Sequence, residues 1–240
     1  MIIGINGYSG SGKDTVGSII QYLQADTDLP LKEVLKKTAH HEWWLEERSG
    51  WEIKKWAGKL KDIASLLTGI PVKDFEDQEF KKTLLGPEWG TVTLNPLNSI
   101  PVFADIEFNS LITVREFLQR LGTDAIRDKL HTNAWVNALM ADYKEKSSEC
   151  GTSKKGTVVN CSKYPNWIIT DTRFPNEAEA IKKAGGIIIR VDRPGVKPIN
   201  DHPSEVGLDD WDFDYKIANV SDLKALSLSV RMILEKESIL

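Results

Sequence analysis

Gly7-Tyr-Ser-Gly10-Ser-Gly12-Lys13-Asp14-Thr15 combines residue types and spacing that suit one task, the holding of a polyphosphate. Glycines let the backbone curl so that successive N–H groups converge on phosphate oxygens. A lysine directly after the last glycine then reaches the β- and γ-phosphates as a point charge. The plainer reading is a Gly-rich strand-to-helix turn with no ligand. The apolar run before the stretch, the helical pattern after it and the lysine together favour the phosphate site. A Ser or Thr that meets magnesium commonly follows such a lysine, but here Asp14 stands there with Thr15 next. Asp14 is read as an acid on the magnesium side or in acceptor handling, and Thr15 as a phosphate ligand. The expected donor site is therefore Gly7, Gly10, Ser11, Gly12, Lys13, Asp14 and Thr15. The guanine-reading sequence Asn-Lys-x-Asp does not occur, so ATP is the expected donor.

A second acid ends the apolar run Trp167-Ile-Ile-Thr-Asp171, followed by Thr172-Arg173-Phe174-Pro175-Asn176-Glu177. In an open parallel sheet, ligands sit beyond the carboxyl ends of the strands. If this strand lies beside the first, Asp171 faces the magnesium–phosphate region, with Asp14 as the other metal-side carboxylate, and Arg173 overhangs an acceptor. The alternative makes Asp171 a capping acid and Arg173 its surface partner. Thr113-Val-Arg-Glu116 is a capping box, so a helix starts there. On it Arg115 and Gln119 are four apart and share a face, with Arg127 beyond Gly122-Thr123. An arginine and a glutamine projecting together suit a nucleotide, one meeting phosphate and the other a base edge, although the same pattern fits a solvated face. Lys13, Arg115, Arg173 and Asp171 are thus the catalytic candidates. Arg115, Gln119, Arg127 and Arg173 are the acceptor-binding ones.

These residues need a scaffold. Five segments read as parallel strands: Met1–Asn6, Trp51–Ala57, Trp167–Asp171, Ile187–Asp192 and Asp214–Val220. Helical patterns separate them, at Thr15–Gln24, Asn176–Ala184 and Ser221–Glu237, the last with Ser221 as its N-cap. The expected fold is α/β, an open parallel sheet of about five strands flanked by helices. The gap between the second and third strands is too long for one crossover. It reads as a helical insertion over about 58–145, with helices at Lys59–Leu67, Val72–Leu85, Thr113–Leu121 and Ala134–Tyr143. Gly86–Asn109 reads as turn-rich, and Lys144–Asn166 as an exposed loop. Trp43, Trp44, Trp51 and Trp56 are expected to pack the insertion against the sheet.

Composition narrows the function. At 240 residues the chain fits one domain with an insertion, and 41% hydrophobic with 28% charged residues is ordinary for a soluble globular protein. The net charge of −4 argues against a broad nucleic-acid face. Cys150 and Cys161, with no histidine at zinc-like spacing, read as reduced thiols, and His40-His41 lacks partners at ligand spacing. With no signal peptide or membrane-length apolar run, the expected location is the cytoplasm.

Several blocks together resemble a known family, the deoxynucleoside monophosphate kinases of tailed bacteriophages within the P-loop kinase group. The blocks are Gly12-Lys-Asp-Thr15, Trp56-Ala-Gly-Lys-Leu-Lys61, Phe75-Glu-Asp77 through Gly86-Pro-Glu-Trp89, and Arg115-Glu-Phe-Leu-Gln-Arg-Leu-Gly-Thr123. Asp171-Thr-Arg-Phe-Pro-Asn-Glu177, His202-Pro-Ser-Glu205 and Tyr215-Lys-Ile-Ala-Asn219 follow in family order. Gly58, Val114 and the length of Asp26–Gly50 depart from the pattern. The resemblance implies a P-loop nucleoside monophosphate kinase-like fold and transfer of the ATP γ-phosphate to a deoxynucleoside 5′-monophosphate with Mg2+. It also implies a short lid-like segment over about 193–212, where related kinases carry one. Such an enzyme supplies nucleotides for DNA synthesis in the cytoplasm of the host cell. The implied partners are small-molecule nucleotides, with no membrane and no direct nucleic-acid binding, and a homodimer is left open. A P-loop kinase for another small acceptor, such as dephospho-coenzyme A, or a non-kinase nucleotide-dependent switch are the alternatives.

Overall fold

A computed structural model describes residues 1–36, 39–90, 92–93, 107–108, 111–145, 164–199 and 202–240. The chain divides into two compact units, one of Met1–Trp56 with Val136–Leu240 and one of Ala57–Trp135.

Isoleucine-rich runs make the sheet of the first unit. Its strands, numbered along the chain, are β1 (Ile2–Asn6), β2 (Trp51–Lys54), β5 (Asn166–Ile169), β6 (Ile187–Asp192) and β7 (Tyr215–Ala218). They lie in the order β2-β5-β1-β6-β7, with every pairing parallel. β1 is central and wholly buried, as expected of a parallel strand covered on both faces. Period-two alternation sends Ile3, Ile5 and Ile168 to one face and Ile2, Trp167 and Ile169 to the other. The first face is covered by α1 (Lys13–Gln24) and α9 (Leu223–Lys236) through Val16, Ile19, Ile20, Val230 and Leu234. The second is covered by α7 (Pro175–Lys183), through Ala178 and Ile181, and by Val136 and Leu139 of α6 (Ala134–Met140). Gly4 on β1 lets α7 come close, since a Cβ there would lie 2.5 Å from Ile181 Cδ1. α2 (Leu31–Val34) and α3 (Ala39–Ser49), which the sequence reading does not anticipate, follow α1 and form a small cluster of Ala25, Val34 and Leu45.

The second unit contains α4 (Gly58–Thr68), α5 (Val114–Gln119) and an antiparallel pairing of β3 (Val92–Thr93) with β4 (Glu107–Phe108). Its core is Ala64, Phe75, Leu85, Ile112, Val114 and Phe117. Instead of one helix over Val72–Leu85 there are two short 3₁₀ turns, Val72–Glu76 and Phe80–Lys82. The reason is local: the Asp77 carboxylate accepts from the amides of Glu79 and Phe80 at 2.7 and 2.8 Å, which draws the backbone out of a helix. The expected capping box is present at Thr113 and Glu116. The helix it starts does not stop near Leu121 but continues as a π-helical stretch from Arg120 to Leu130. Within that stretch the Gly122 carbonyl accepts from the Trp135 indole at 2.8 Å.

Other expectations shift slightly. Asp222, not Ser221, caps α9, its carboxylate accepting from the Ala225 amide. Trp51 and Trp56 lie in the first unit's own cores, Trp44 packs at the Ala25 cluster, and Trp43 is exposed. Cys150, Cys161 and nearly all of the expected loop at 144–166 lie outside the described residues.

Candidate active site

β1 ends at Asn6 and the glycine loop follows at once. The chain turns to one side of β1 for β2 and β5, then to the other for β6 and β7. The loop therefore lies at the switch point where an open parallel sheet binds ligands. Gly10 and Gly12 adopt φ of 85° and 100°, left-handed values that a side chain would strain. At Gly7 a Cβ would fall 2.6 Å from the Val191 carbonyl. Gly12 is the N-cap of α1 and no side chain caps that helix, so its first amides face the loop with the positive end of the helix dipole. Ser11 is buried, and its hydroxyl has no hydrogen-bond partner among the described residues.

The loop is braced from neighbouring strand ends. Asn219, just past β7, donates from Nδ2 to the Ser11 carbonyl at 2.9 Å, and Arg193 donates to the Gly10 carbonyl at 3.4 Å. Arg190 on β6 is buried. It donates to Asn6 Oδ1 at 2.6 Å, pairs with Asp192 and Asp209, and lies 4.6 Å from the centre of the Tyr8 ring. Tyr8 donates its phenol to Asp209 at 2.8 Å, which ties the loop to the turn before β7.

Lys13 is 9% exposed and its ammonium donates to the Tyr8 carbonyl at 3.4 Å. Burial pushes its pKa below the usual lysine value, and the Arg173 charge pushes the same way; Asp14, Asp171 and Glu205 pull it back up. Five charged groups therefore act at one place. The Asp14 carboxylate accepts from the Thr170 hydroxyl at 2.8 Å, and Asp171 Oδ1 from the Trp56 amide at 2.8 Å. Thr170 and Asp171 follow directly on β5, the strand beside β1, as expected if the second acid belongs to the loop's surroundings. The turn carrying Arg173 is set by Glu177, which accepts from the amides of Arg173 and Phe174 at 2.8 and 3.1 Å. Asn6 Nδ2 donates to the Thr172 carbonyl at 2.7 Å. Arg173 itself pairs with Glu205 at 2.8 Å, on the short helix α8 (Pro203–Val206).

The structure thus gathers Gly7, Gly10, Ser11, Gly12, Lys13, Asp14, Asp171 and Arg173 in the first unit, with Thr15 on the first turn of α1. Arg115, Gln119 and Arg127 belong to the second unit. There Arg115 donates to Gln78 Oε1 at 3.0 Å, Gln119 is half-buried, and Arg127 is buried in the π-helical stretch. The sequence reading gave no role to Tyr8, Thr170, Arg190, Glu205 or Asn219. Asn219, at a strand's carboxyl end, could have been found from its position alone.

The donor set fits a magnesium–triphosphate ligand. Loop amides, Lys13 and the buried Ser11 hydroxyl suit phosphate oxygens. Asp14 and Asp171, the two carboxylates beside Lys13, are the side chains that would face such an ion.

Comparison with known proteins agrees with this geometry. A family model described as deoxynucleotide monophosphate kinase matches residues 85–230. The chain is 34% identical over 103 residues to a protein of Acanthamoeba polyphaga mimivirus, covering 40% of this chain and 47% of that one. It is 32% identical over 119 residues to the deoxynucleotide monophosphate kinase of Enterobacteria phage T4, covering 50% and 44%. With the deoxynucleoside-5'-monophosphate kinase of Escherichia phage T5 the identity is 25% over 248 residues, covering 92% and 90%. The chain thus spans about half the length of the first two relatives and nearly all of the third. Since the family model covers more than half of a chain whose loop, sheet order and charged residues suit a phosphotransferase, this protein belongs to the deoxynucleotide monophosphate kinase family.

Proposed function

We propose that this protein transfers the γ-phosphate of ATP to a deoxynucleoside 5′-monophosphate, giving the diphosphate and ADP. The observation that carries the reading is the convergence of Lys13, Asp14, Asp171 and Arg173 on the glycine loop at the carboxyl ends of β1 and β5. A phosphate oxygen of the acceptor attacks the γ-phosphorus in line, and the bond from that phosphorus to the β,γ-bridging oxygen breaks, its electrons staying on ADP. Such a transfer needs positioning and charge neutralisation more than covalent help.

The loop amides and Lys13 hold the β- and γ-phosphates, with Thr15 and the Ser11 hydroxyl as further donors. Burial and Arg173 disfavour the Lys13 charge, and a bound phosphate would favour it. Arg173 neutralises the transferring group, and its planar fork suits two phosphate oxygens. Arg115, Gln119 and Arg127 are assigned to the acceptor, Arg115 for phosphate and Gln119 for a base edge. Asp14 and Asp171 would hold Mg2+, which when bound neutralises the donor phosphates. The segment from Arg193 to about 212 is assigned to covering the donor, limiting loss of the phosphoryl group to water. The expected partners are nucleotides.

The test is a screen of all deoxy- and ribonucleoside monophosphates with ATP and magnesium, with diphosphate formation resolved by anion exchange. Conversion of at least one deoxynucleotide at rates far above ATP hydrolysis alone supports the reading. Conversion of dephospho-coenzyme A in preference to every nucleotide would refute it.

A further inference from the structure

Lys13 and Arg173 bring two positive charges to the glycine loop, and like charges at short range repel. An apo site with that arrangement needs something to keep the arginine from turning to solvent, since its side chain is 34% exposed. Glu205 supplies an anchor. Its side chain is 3% exposed, and its Oε1 lies 2.8 Å from Arg173 Nη1.

The placement of Glu205 is itself constrained. It sits on α8, and the chain just after that helix is pressed against the Arg173 backbone. A Cβ on Gly207 would fall 2.9 Å from the Arg173 carbonyl and 2.7 Å from the Pro203 carbonyl. Leu208 is buried in the core, and Asp209 binds Tyr8 and Arg190. On the other side Glu177 fixes the Arg173 amide. Both ends of the arginine are held, the backbone by Glu177 and the guanidinium by Glu205.

We propose that Glu205 is a positioning residue for phosphoryl transfer, its buried carboxylate holding the Arg173 guanidinium in place before substrates arrive. The proposal rests on the kinase reading above. A charge fixed in advance costs no reorganisation when the transition state forms, whereas a mobile one does. The Glu205 charge also raises the Lys13 pKa, so the same carboxylate offsets part of the repulsion between the two cations.

Glu205→Gln keeps the side chain's shape and an acceptor oxygen but removes the charge. Its kcat should fall about tenfold to a hundredfold with the KM for ATP changed less than about threefold. Because Glu205 acts through Arg173, adding Glu205→Gln to Arg173→Ala should slow the enzyme by less than about threefold more. Millimolar guanidinium ion should restore part of the Arg173→Ala activity, because the Glu205 carboxylate binds it, and should fail to rescue the double variant. Wild-type kcat in Glu205→Gln, an equal loss in both backgrounds, or equal guanidinium rescue of both variants would each overturn the proposal. If Glu205→Gln does not fold, Arg173→Ala decides alone: rescue by guanidinium but not by methylammonium supports the proposal, and no rescue refutes it. A wild-type protein that forms no deoxynucleoside diphosphate removes the kinase reading and this proposal together. Wild-type turnover that Glu205→Gln leaves unchanged removes the proposal only.

Discussion

Lys13 carries a charge that the apo fold disfavours. Its pKa lies below the unfolded value, so the unfolded chain holds the proton more tightly. Stability therefore rises with pH between the folded pKa and 10.5, and below that window the protonated lysine lowers it. Lys13→Met should then raise the melting temperature of the ligand-free protein at neutral pH while reducing turnover at least a hundredfold. A differential scanning measurement showing a lower melting temperature, or a folded variant with near-normal turnover, would refute the assignment. Arg173 presents a different demand, because a planar fork can meet two oxygens and an ammonium cannot. Arg173→Lys should raise the acceptor KM or lower kcat about tenfold or more, with ATP affinity nearly unchanged. Steady-state kinetics with each substrate varied will show this, and unaltered acceptor kinetics in both Arg173→Lys and Gln119→Ala would contradict it. The glycines and Lys13 stand out in the sequence because they are consecutive in one short loop, and Asp171 because it ends an apolar run. Glu205, Tyr8 and Arg190 do not, since their partners lie 32, 201 and 19 residues away.

The inner strands β1, β5 and β6 were legible because a buried parallel strand is a nearly unbroken apolar run, as Ile2–Ile5 and Ile187–Ile189 are, while β2 and β7 at the sheet edges carry alternating polar residues. The capping box at Thr113 was legible for a similar reason, a local exchange of hydrogen bonds. The end of that helix was not: the stretch runs on to Leu130 through Gly122, a residue type that reads as a break, and the Gly122 carbonyl accepts from Trp135, thirteen residues on. Helix α3 was missed because its exposed residues, among them Trp43, blur an apolar stripe. A tight constraint lies between β1 and α1, at Gly12. Its φ of 100° disfavours any side chain, and a Cβ would lie 2.6 Å from Asn219 Nδ2, the atom that braces the Ser11 carbonyl. Gly12→Ala should weaken ATP binding by about tenfold to a hundredfold, in keeping with roughly 1–3 kcal/mol of backbone strain. Isothermal titration will measure it, with circular dichroism expected to show the sheet unchanged; wild-type affinity would mean that the loop geometry is not what holds the donor.

The first compact unit is built on a five-stranded parallel sheet, and the second is inserted in sequence between β2 and β5. Among the described residues no helix is long and apolar enough to cross a membrane. The near-neutral charge balance, 31 basic against 35 acidic residues, leaves positive charge to be concentrated locally, where Lys13 and Arg173 share the glycine loop. The most direct measurement follows one labelled atom. ATP carrying 32P at its γ-phosphate is incubated with the protein, magnesium and a deoxynucleoside monophosphate, and the products are separated. The account predicts label in the β-phosphate of the deoxynucleoside diphosphate, with little inorganic phosphate and no transfer by Lys13→Met. Label found only as inorganic phosphate with every deoxynucleotide acceptor, or release stimulated by DNA, would contradict it.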